Sequence, residues 1–251
     1  MKSILSFCLI FVLVNSCASK KEILYVQDIE NYNNKPITFS SPKIQPNDIL
    51  NITVGALIEE SAKPYNKSNT NVGASVEMMQ LEGYLVSQDN TINFPELGII
   101  STENKTVVEL SEHIKKLLED GGHLKRPNVN VRLLNAKVTI LGEVNQPGTY
   151  NFTEYSVTLL QALGYAGDLT INGKREDVKV IREVDGNRIV STIDLTSGEF
   201  LNSEFYQIKP NDVIYVGQNN PKVKSAGFIG NTSTVISVVS ILLTSIVLIT
   251  R

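Results

Sequence analysis

The sequence predicts an α+β protein: two compact mixed units in series, followed by one membrane helix. Three observations carry this. Short β-branched runs alternate with a few helical patterns through residues 43–217, as expected of strands mixed with helices. The stretch Ile44-Gln45-Pro46-Asn47-Asp48-Ile49-Leu50 returns as Ile208-Lys209-Pro210-Asn211-Asp212-Val213-Ile214, once in each unit. The tail, Ser225 to Thr250, holds no charged residue, and Val235 to Ile249 counts eleven apolar residues and four hydroxyls.

The first unit, residues 43–135, opens on the Pro-Asn-Asp turn and the β-branched run Ile49 to Val54. The polar residues 59–75 read as a surface loop. Tyr84-Leu85-Val86 and Thr91 to Phe94 flank Gln88-Asp89-Asn90 and read as a hairpin. Thr106 and Glu109 have capping-box spacing, and Val107, Leu110, Ile114, Leu117 and Leu118 form the apolar stripe of a helix that ends at Gly121-Gly122. Val129, Val131 and Leu133 alternate in a strand.

The second unit, residues 136–217, begins with the strand Val138 to Val144. A Gln146-Pro147-Gly148 turn and the return strand Thr149 to Phe152 follow. Ser156 is placed to cap a short helix, Val157 to Leu163. Asp177 to Val184 and Arg188 to Leu195 flank Asp185-Gly186-Asn187 as a second hairpin. The repeated turn then leads into Val213 to Val216. Either aspartate of the repeated turn can accept backbone N–H bonds, a structural role that competes with any chemical one.

Residues 218–227 form a linker, and residues 228–250 are expected to make a transmembrane helix. Its residues show no period-2 alternation, which argues against a strand. Ser233, Ser237, Ser240 and Thr244, spaced 4, 3 and 4, fall on one stripe with Val, Ile and Leu elsewhere. The stripe could line a water-filled lumen, or its small residues could let helices pack closely.

At the other end, Met1-Lys2 and the apolar Ile4 to Val14 have the form of a signal-peptide core, residues 1–16. Leu13-Val14-Asn15-Ser16-Cys17 resembles a bacterial lipobox, which implies lipidation of Cys17 and a tether over residues 17–42. An ordinary secretory signal with a chance cysteine is the alternative. Loss of Cys8 with the signal would leave no pair of cysteines for a disulfide. The formal charge of −3 and the lack of a basic cluster speak against nucleic acid. Two histidines, without cysteine or paired carboxylates at ligand spacing, speak against a metal site, and no cofactor is expected.

Taken together, these residues resemble the outer-membrane polysaccharide export (OPX) family of lipoproteins. The resemblance rests on the lipobox, on Ile44 to Leu50 with Gly83 to Val86, Asn93-Phe94-Pro95-Glu96-Leu97-Gly98 and Arg126 to Val131, and on the apolar tail. It rests also on Val138 to Tyr150, Leu159 to Gly167 and Ile208 to Val216, which are similar to a soluble-ligand-binding β-grasp (SLBB) domain. One such domain is found where capsule exporters often have two, and Asn47 and Asn211 stand where the family usually has glycine.

The resemblance implies a ring-shaped homo-oligomer, often an octamer, lipid-anchored in the outer membrane. Its body would lie in the periplasm and its C-terminal helices would cross the membrane. It implies a non-enzymatic conduit for capsular or extracellular polysaccharide, and an inner-membrane polysaccharide co-polymerase or tyrosine kinase as partner. A periplasm-facing sugar- or peptidoglycan-binding lipoprotein whose tail is a second anchor is the rival reading. A glycan-processing enzyme would need a convergent carboxylate pair, and Asp89, Glu96, Asp168 and Asp177 are scattered among turns.

Overall fold

A turn set by Pro46 launches β1 (Ile49–Gly55), whose alternate residues Leu50, Ile52 and Val54 are buried. The structure, a computed structural model, describes residues 23–31, 41–67, 75–155, 157–184, 186–219 and 232–249. β1 is the centre of a three-stranded antiparallel sheet, flanked by β2 (Tyr84–Leu85) and β5 (Asn128–Leu133). Period-2 pleating puts Val129 opposite Val54 and Val131 opposite Ile52, so both pairs enter one core.

The hairpin expected around Gln88-Asp89-Asn90 is corrected. The chain does reverse there, with the Ser87 N–H donating to the Thr91 carbonyl at 2.9 Å. However, β2 gives its ladder to β1, and β3 (Thr91–Phe94) pairs with β4 (Gly98–Ser101). The turn between β3 and β4 uses positive φ at Glu96 (61°) and Gly98 (74°). Phe94 returns to stack on Tyr84, ring centroids 5.5 Å apart.

The loop expected over residues 59–75 is also corrected in part. It holds α1 (Glu59–Ala62) and one 3-10 turn, Lys63–Tyr65. The Asn66 side chain ties this segment to β1, accepting from the Val54 N–H and donating to the Val54 carbonyl, both at 2.8 Å. α2 (Val76–Glu82), capped by Ser75, buries none of its residues.

α3 (Val107–Asp120) covers the sheet with Val107, Leu110, Ile114 and Leu118. Leu117 lies at the edge of that stripe and is partly exposed. The capping box at its start is complete. Thr106 Oγ1 accepts the Glu109 N–H at 3.2 Å, and Glu109 Oε2 accepts the Thr106 N–H at 2.8 Å. Thr106→Ala is expected to destabilise the first domain by about 1 kcal/mol. A lower urea midpoint for that domain checks this; an unchanged midpoint contradicts it.

The second domain is a five-stranded sheet in the order β10-β9-β12-β6-β7. Its strands are β6 (Lys137–Gly142), β7 (Gly148–Asn151), β9 (Gly173–Val184), β10 (Asn187–Ile193) and β12 (Val213–Gln218). Only β12 and β6 pair in parallel; the other neighbours are antiparallel. Gly142 ends β6 at φ 92°, where an added Cβ would sit 2.0 Å from the Val216 carbonyl oxygen. That contact requires glycine in Leu141-Gly142-Glu143-Val144.

The helix expected over Val157 to Leu163 starts later. Val157–Thr158 instead form β8, paired with β11 (Gln207–Ile208), and α4 runs Leu159–Tyr165. Thr158 is its cap, in a capping box with Gln161. The proposed cap, Ser156, lies outside the described residues. Leu159, Ala162 and Leu163 of α4 pack into a core with Val138, Ile140, Val178 and Ile214. Leu133 contacts both cores, so the two domains share a packed junction.

Part of the expected tether is not free chain. Residues 23–31 lie on the second domain, where the Val26 N–H donates to the Leu195 carbonyl at 3.0 Å and the Gln27 N–H to that of Thr196 at 2.8 Å. The tail forms α5 (Thr232–Ile249), 18 residues long. At 1.5 Å per residue that is ~27 Å, just short of a ~30 Å hydrocarbon core. Among the described residues no helix is long and apolar enough to cross a membrane. Of the span expected over residues 228–250, residues 232–249 are helical and the others lie outside the described residues.

Candidate functional site at the domain junction

The repeated turns have one geometry. Asn47 and Asn211 take φ of 70° and 69°, the left-handed region that asparagine tolerates better than most residues. Asp48 Oδ2 accepts the Gln45 N–H at 2.8 Å, and Asp212 Oδ2 accepts the Lys209 N–H at 2.8 Å. The echo in sequence is therefore an echo in structure, and each asparagine does what a glycine would do there.

Beyond that shared bond the two aspartates differ. Asp212 is 1% exposed and meets Arg182, itself 4% exposed. The guanidinium grips it with two bonds, Nε to Oδ1 at 2.9 Å and Nη2 to Oδ2 at 2.7 Å. Arg182 also donates to the Gln207 carbonyl at 2.8 Å and lies 4.7 Å from the Phe205 ring centroid. Sequence reading missed Arg182. The available signal was its place at an inward position of β9, in phase with Val178 and Val180, because a charged group there demands a buried partner.

Asp48 is equally buried, at 4% exposure, but has no bonded cation among the described residues. Burial pushes its carboxyl up to about 6, opposed only by the Gln45 N–H. It lines a cavity of about 210 Å³ between the domains. The first domain supplies Ile44, Asp48, Val107 and Arg132 to the wall; the second supplies Tyr155 and Pro210, the latter from the repeated turn. Lys43 and Glu154 border it with opposite charges. Junctions of this kind are preferred places for small ligands.

A second cluster lies where residues 23–31 meet the second domain. The Tyr25 hydroxyl donates to Asp168, and burial, reinforced by that bond, pushes the phenol well above its usual range. Arg175 lies 5.3 Å from the Tyr25 ring centroid. Asp28 accepts from Ser197 and Gly198, and those bonds hold its carboxyl below the usual range. The exit of β12 ends beside this cluster, with the Asn219 N–H donating to the Asn172 carbonyl at 2.8 Å.

Of the residues singled out from sequence, Cys17 lies outside the described residues. Ser233 lies on α5, without a described side chain. Ser237, Ser240 and Thr244 are exposed on the same helix, and Thr244 Oγ1 donates to the Ser240 carbonyl at 2.7 Å. The scattered carboxylates Asp89, Glu96, Asp168 and Asp177 are not brought into one described site. Among the described residues no group of three or more His, Cys, Asp or Glu side chains could hold a metal ion.

An antiparallel sheet under one helix, joined to a mixed sheet with a parallel centre, defines a two-domain α+β protein whose two turns meet at one junction. Comparison with known proteins is consistent in both halves. The profile of the polysaccharide biosynthesis/export protein family matches residues 39–134, and that of the SLBB domain matches residues 136–216. The chain belongs to the outer-membrane polysaccharide export family. It is similar to the EPS I polysaccharide export outer membrane protein EpsA of Ralstonia solanacearum, 26% identical over 159 residues, 61% of this chain and 41% of that protein. The protein of the same name from Ralstonia nicotianae is 27% identical over 161 residues, 62% of this chain and 41% of that one. The chain thus spans about two fifths of the length of these curated relatives.

Proposed function

We propose that this chain is a subunit of an oligomeric, non-enzymatic conduit that carries capsular or extracellular polysaccharide across the outer membrane. The observation that carries this reading is the order of its parts: an export domain, an SLBB domain, then an apolar helix. Seven described Val, Ile and Leu side chains of α5 are exposed in the single chain: Ile236, Val238, Val239, Ile241, Leu243, Val247 and Leu248. A contiguous apolar surface of that kind is stable only when lipid or other copies cover it. In the assembly α5 and its flanking residues cross the outer membrane, with Ser233, Ser237, Ser240 and Thr244 facing the lumen. Thr244 and Ser245 already spend their hydroxyl protons on carbonyls one turn back. The Thr244 oxygen is left to accept from water or sugar in the lumen, and neither of these two hydroxyl protons is stranded in lipid.

Lipid on Cys17 places the start of the mature chain at the same membrane. Residues 23–31 and the end of β12 both meet the stretch Asp168 to Arg175, which supports a body hung from the membrane by its second domain. The first domain then faces the inner-membrane co-polymerase or tyrosine kinase.

The test is the size of the full-length protein extracted in mild detergent. A ring of many subunits supports the conduit; a monomer overturns it in favour of the sugar- or peptidoglycan-binding lipoprotein. In the same preparation, Cys17→Ser is expected to abolish labelling by a radioactive fatty acid, and equal label in both proteins would contradict the anchor.

A further inference from the structure

We propose that the cavity at the domain junction is a binding site for one uncharged sugar ring, with the Asp48 carboxylate accepting from two adjacent hydroxyls. This rests on the carbohydrate reading above and adds to it a fixed contact outside the tail.

The argument begins with the twin turn. A carboxylate has about four lone-pair positions. In Asp212 one is taken by a backbone N–H, and the Arg182 fork fills two more. Asp48 keeps the backbone bond, has no such fork among the described residues, and borders a cavity of about 210 Å³. Two neighbouring hydroxyls of a pyranose present two donors side by side and can replace the fork. A buried carboxylate with acceptor positions left over favours a ligand that supplies them, because unmade hydrogen bonds in a low-dielectric site are costly.

The rest of the wall sets the ligand class. Arg132 and Lys43 on the rim oppose a bare cation, and Asp48 with Glu154 opposes a phosphate or carboxylate. An uncharged ring satisfies both signs. Val107, Leu133 and Pro210 offer apolar wall to the C–H face of a sugar, and the Tyr155 ring, largely exposed at the mouth, can cover it. Oxygen-rich edges and a hydrocarbon face are what distinguish a pyranose from other polar molecules of this size. The ring is held by the export domain on one side and the SLBB domain on the other, so binding also fixes the junction.

The experiment uses the full-length protein in mild detergent and ligand-observed saturation-transfer NMR. Glucose, galactose, mannose and N-acetylglucosamine are the probes, and sorbitol is the open-chain control. At least one pyranose is expected to give a saturable signal that sorbitol does not. Asp48→Asn keeps an acceptor for the Gln45 N–H and removes the charge, and is expected to weaken binding about tenfold or more, as for loss of hydrogen bonds to a charged group. Tyr155→Ala is expected to weaken it less. No signal from any pyranose, an equal signal from sorbitol, or a signal unchanged in Asp48→Asn overturns the proposal. Ring size in the same detergent is read separately, so a junction without sugar affinity and a chain that does not assemble are told apart.

Discussion

Arg182→Ala is expected to destabilise the second domain by roughly 3–5 kcal/mol, as breaking one partner of a buried ion pair does. The pair joins β9 to the turn that launches β12, with both side chains out of water. Removing the guanidinium strands the Asp212 carboxylate with one backbone N–H, takes a donor from the Gln207 carbonyl and leaves a void beside the Phe205 ring. Asp212→Asn keeps the Lys209 bond and strands the cation instead. Combining Asp212→Asn with Arg182→Met removes both charges and is expected to recover part of the loss, because the cost lies in the unpaired charge. The chain contains no tryptophan, so far-UV circular dichroism in urea is the suitable readout. Two domains need not unfold together. The transition of the second domain should move in Arg182→Ala while that of the first stays. A midpoint unchanged in Arg182→Ala contradicts this account.

The contrast between the two aspartates shows where the sequence was legible. The local devices were readable, because they depend on residues close in sequence. The Thr106–Glu109 capping box and the Pro-Asn-Asp turns follow from spacing and residue type alone, and the structure has both. Partners distant in sequence were not readable. Which strand β2 pairs with is decided by packing of Tyr84 and Val86 into the core beneath β1, and nothing in Tyr84-Leu85-Val86 encodes that choice. The cap of α4 moved from Ser156 to Thr158 because β8 pairs with β11, almost fifty residues away in the chain. The docking of residues 23–31 depends on Asp168, Arg175 and Leu195, and a tether composition concealed it. The junction cavity is built from segments of both domains, so neither Asp48 nor Tyr155 marks it alone.

The first domain is expected to lose stability as pH rises from about 4 to 7, and Asp48 is the cause. Its carboxyl is raised from 3.8 to about 6 by burial, so between those values the folded domain holds a proton that the unfolded chain has released. Stability then falls with rising pH. The contribution is fully present below the unfolded pKa, is lost as pH passes through about 6, and changes little above that. A shift from 3.8 to about 6 corresponds to about 3 kcal/mol at 1.36 kcal/mol per pKa unit. Three other groups in this domain that titrate on the acid side, Glu77, Glu109 and His113, have the opposite sign. Hydrogen bonds at the starts of α2 and α3 hold Glu77 and Glu109 below their usual range, so their contributions are lost as pH falls below about 4.5, at the acid end of the Asp48 window. Burial and nearby lysines lower His113 from 6.5, so the unfolded chain takes up its proton first and stability from that group rises with pH up to about 6.5. His113 therefore masks part of the Asp48 slope in the wild-type protein. The difference between wild type and Asp48→Asn cancels it, since both carry His113, Glu77 and Glu109. Asp48→Asn retains an acceptor for Gln45 and should be more stable than wild type at pH 7 and no more stable at pH 4. The urea midpoint of the first domain, followed from pH 4 to 7.5 in both proteins, reads this directly. Parallel curves would show that Asp48 ionises as readily in the folded domain as in the unfolded chain, and that the junction cavity is wet enough to solvate it.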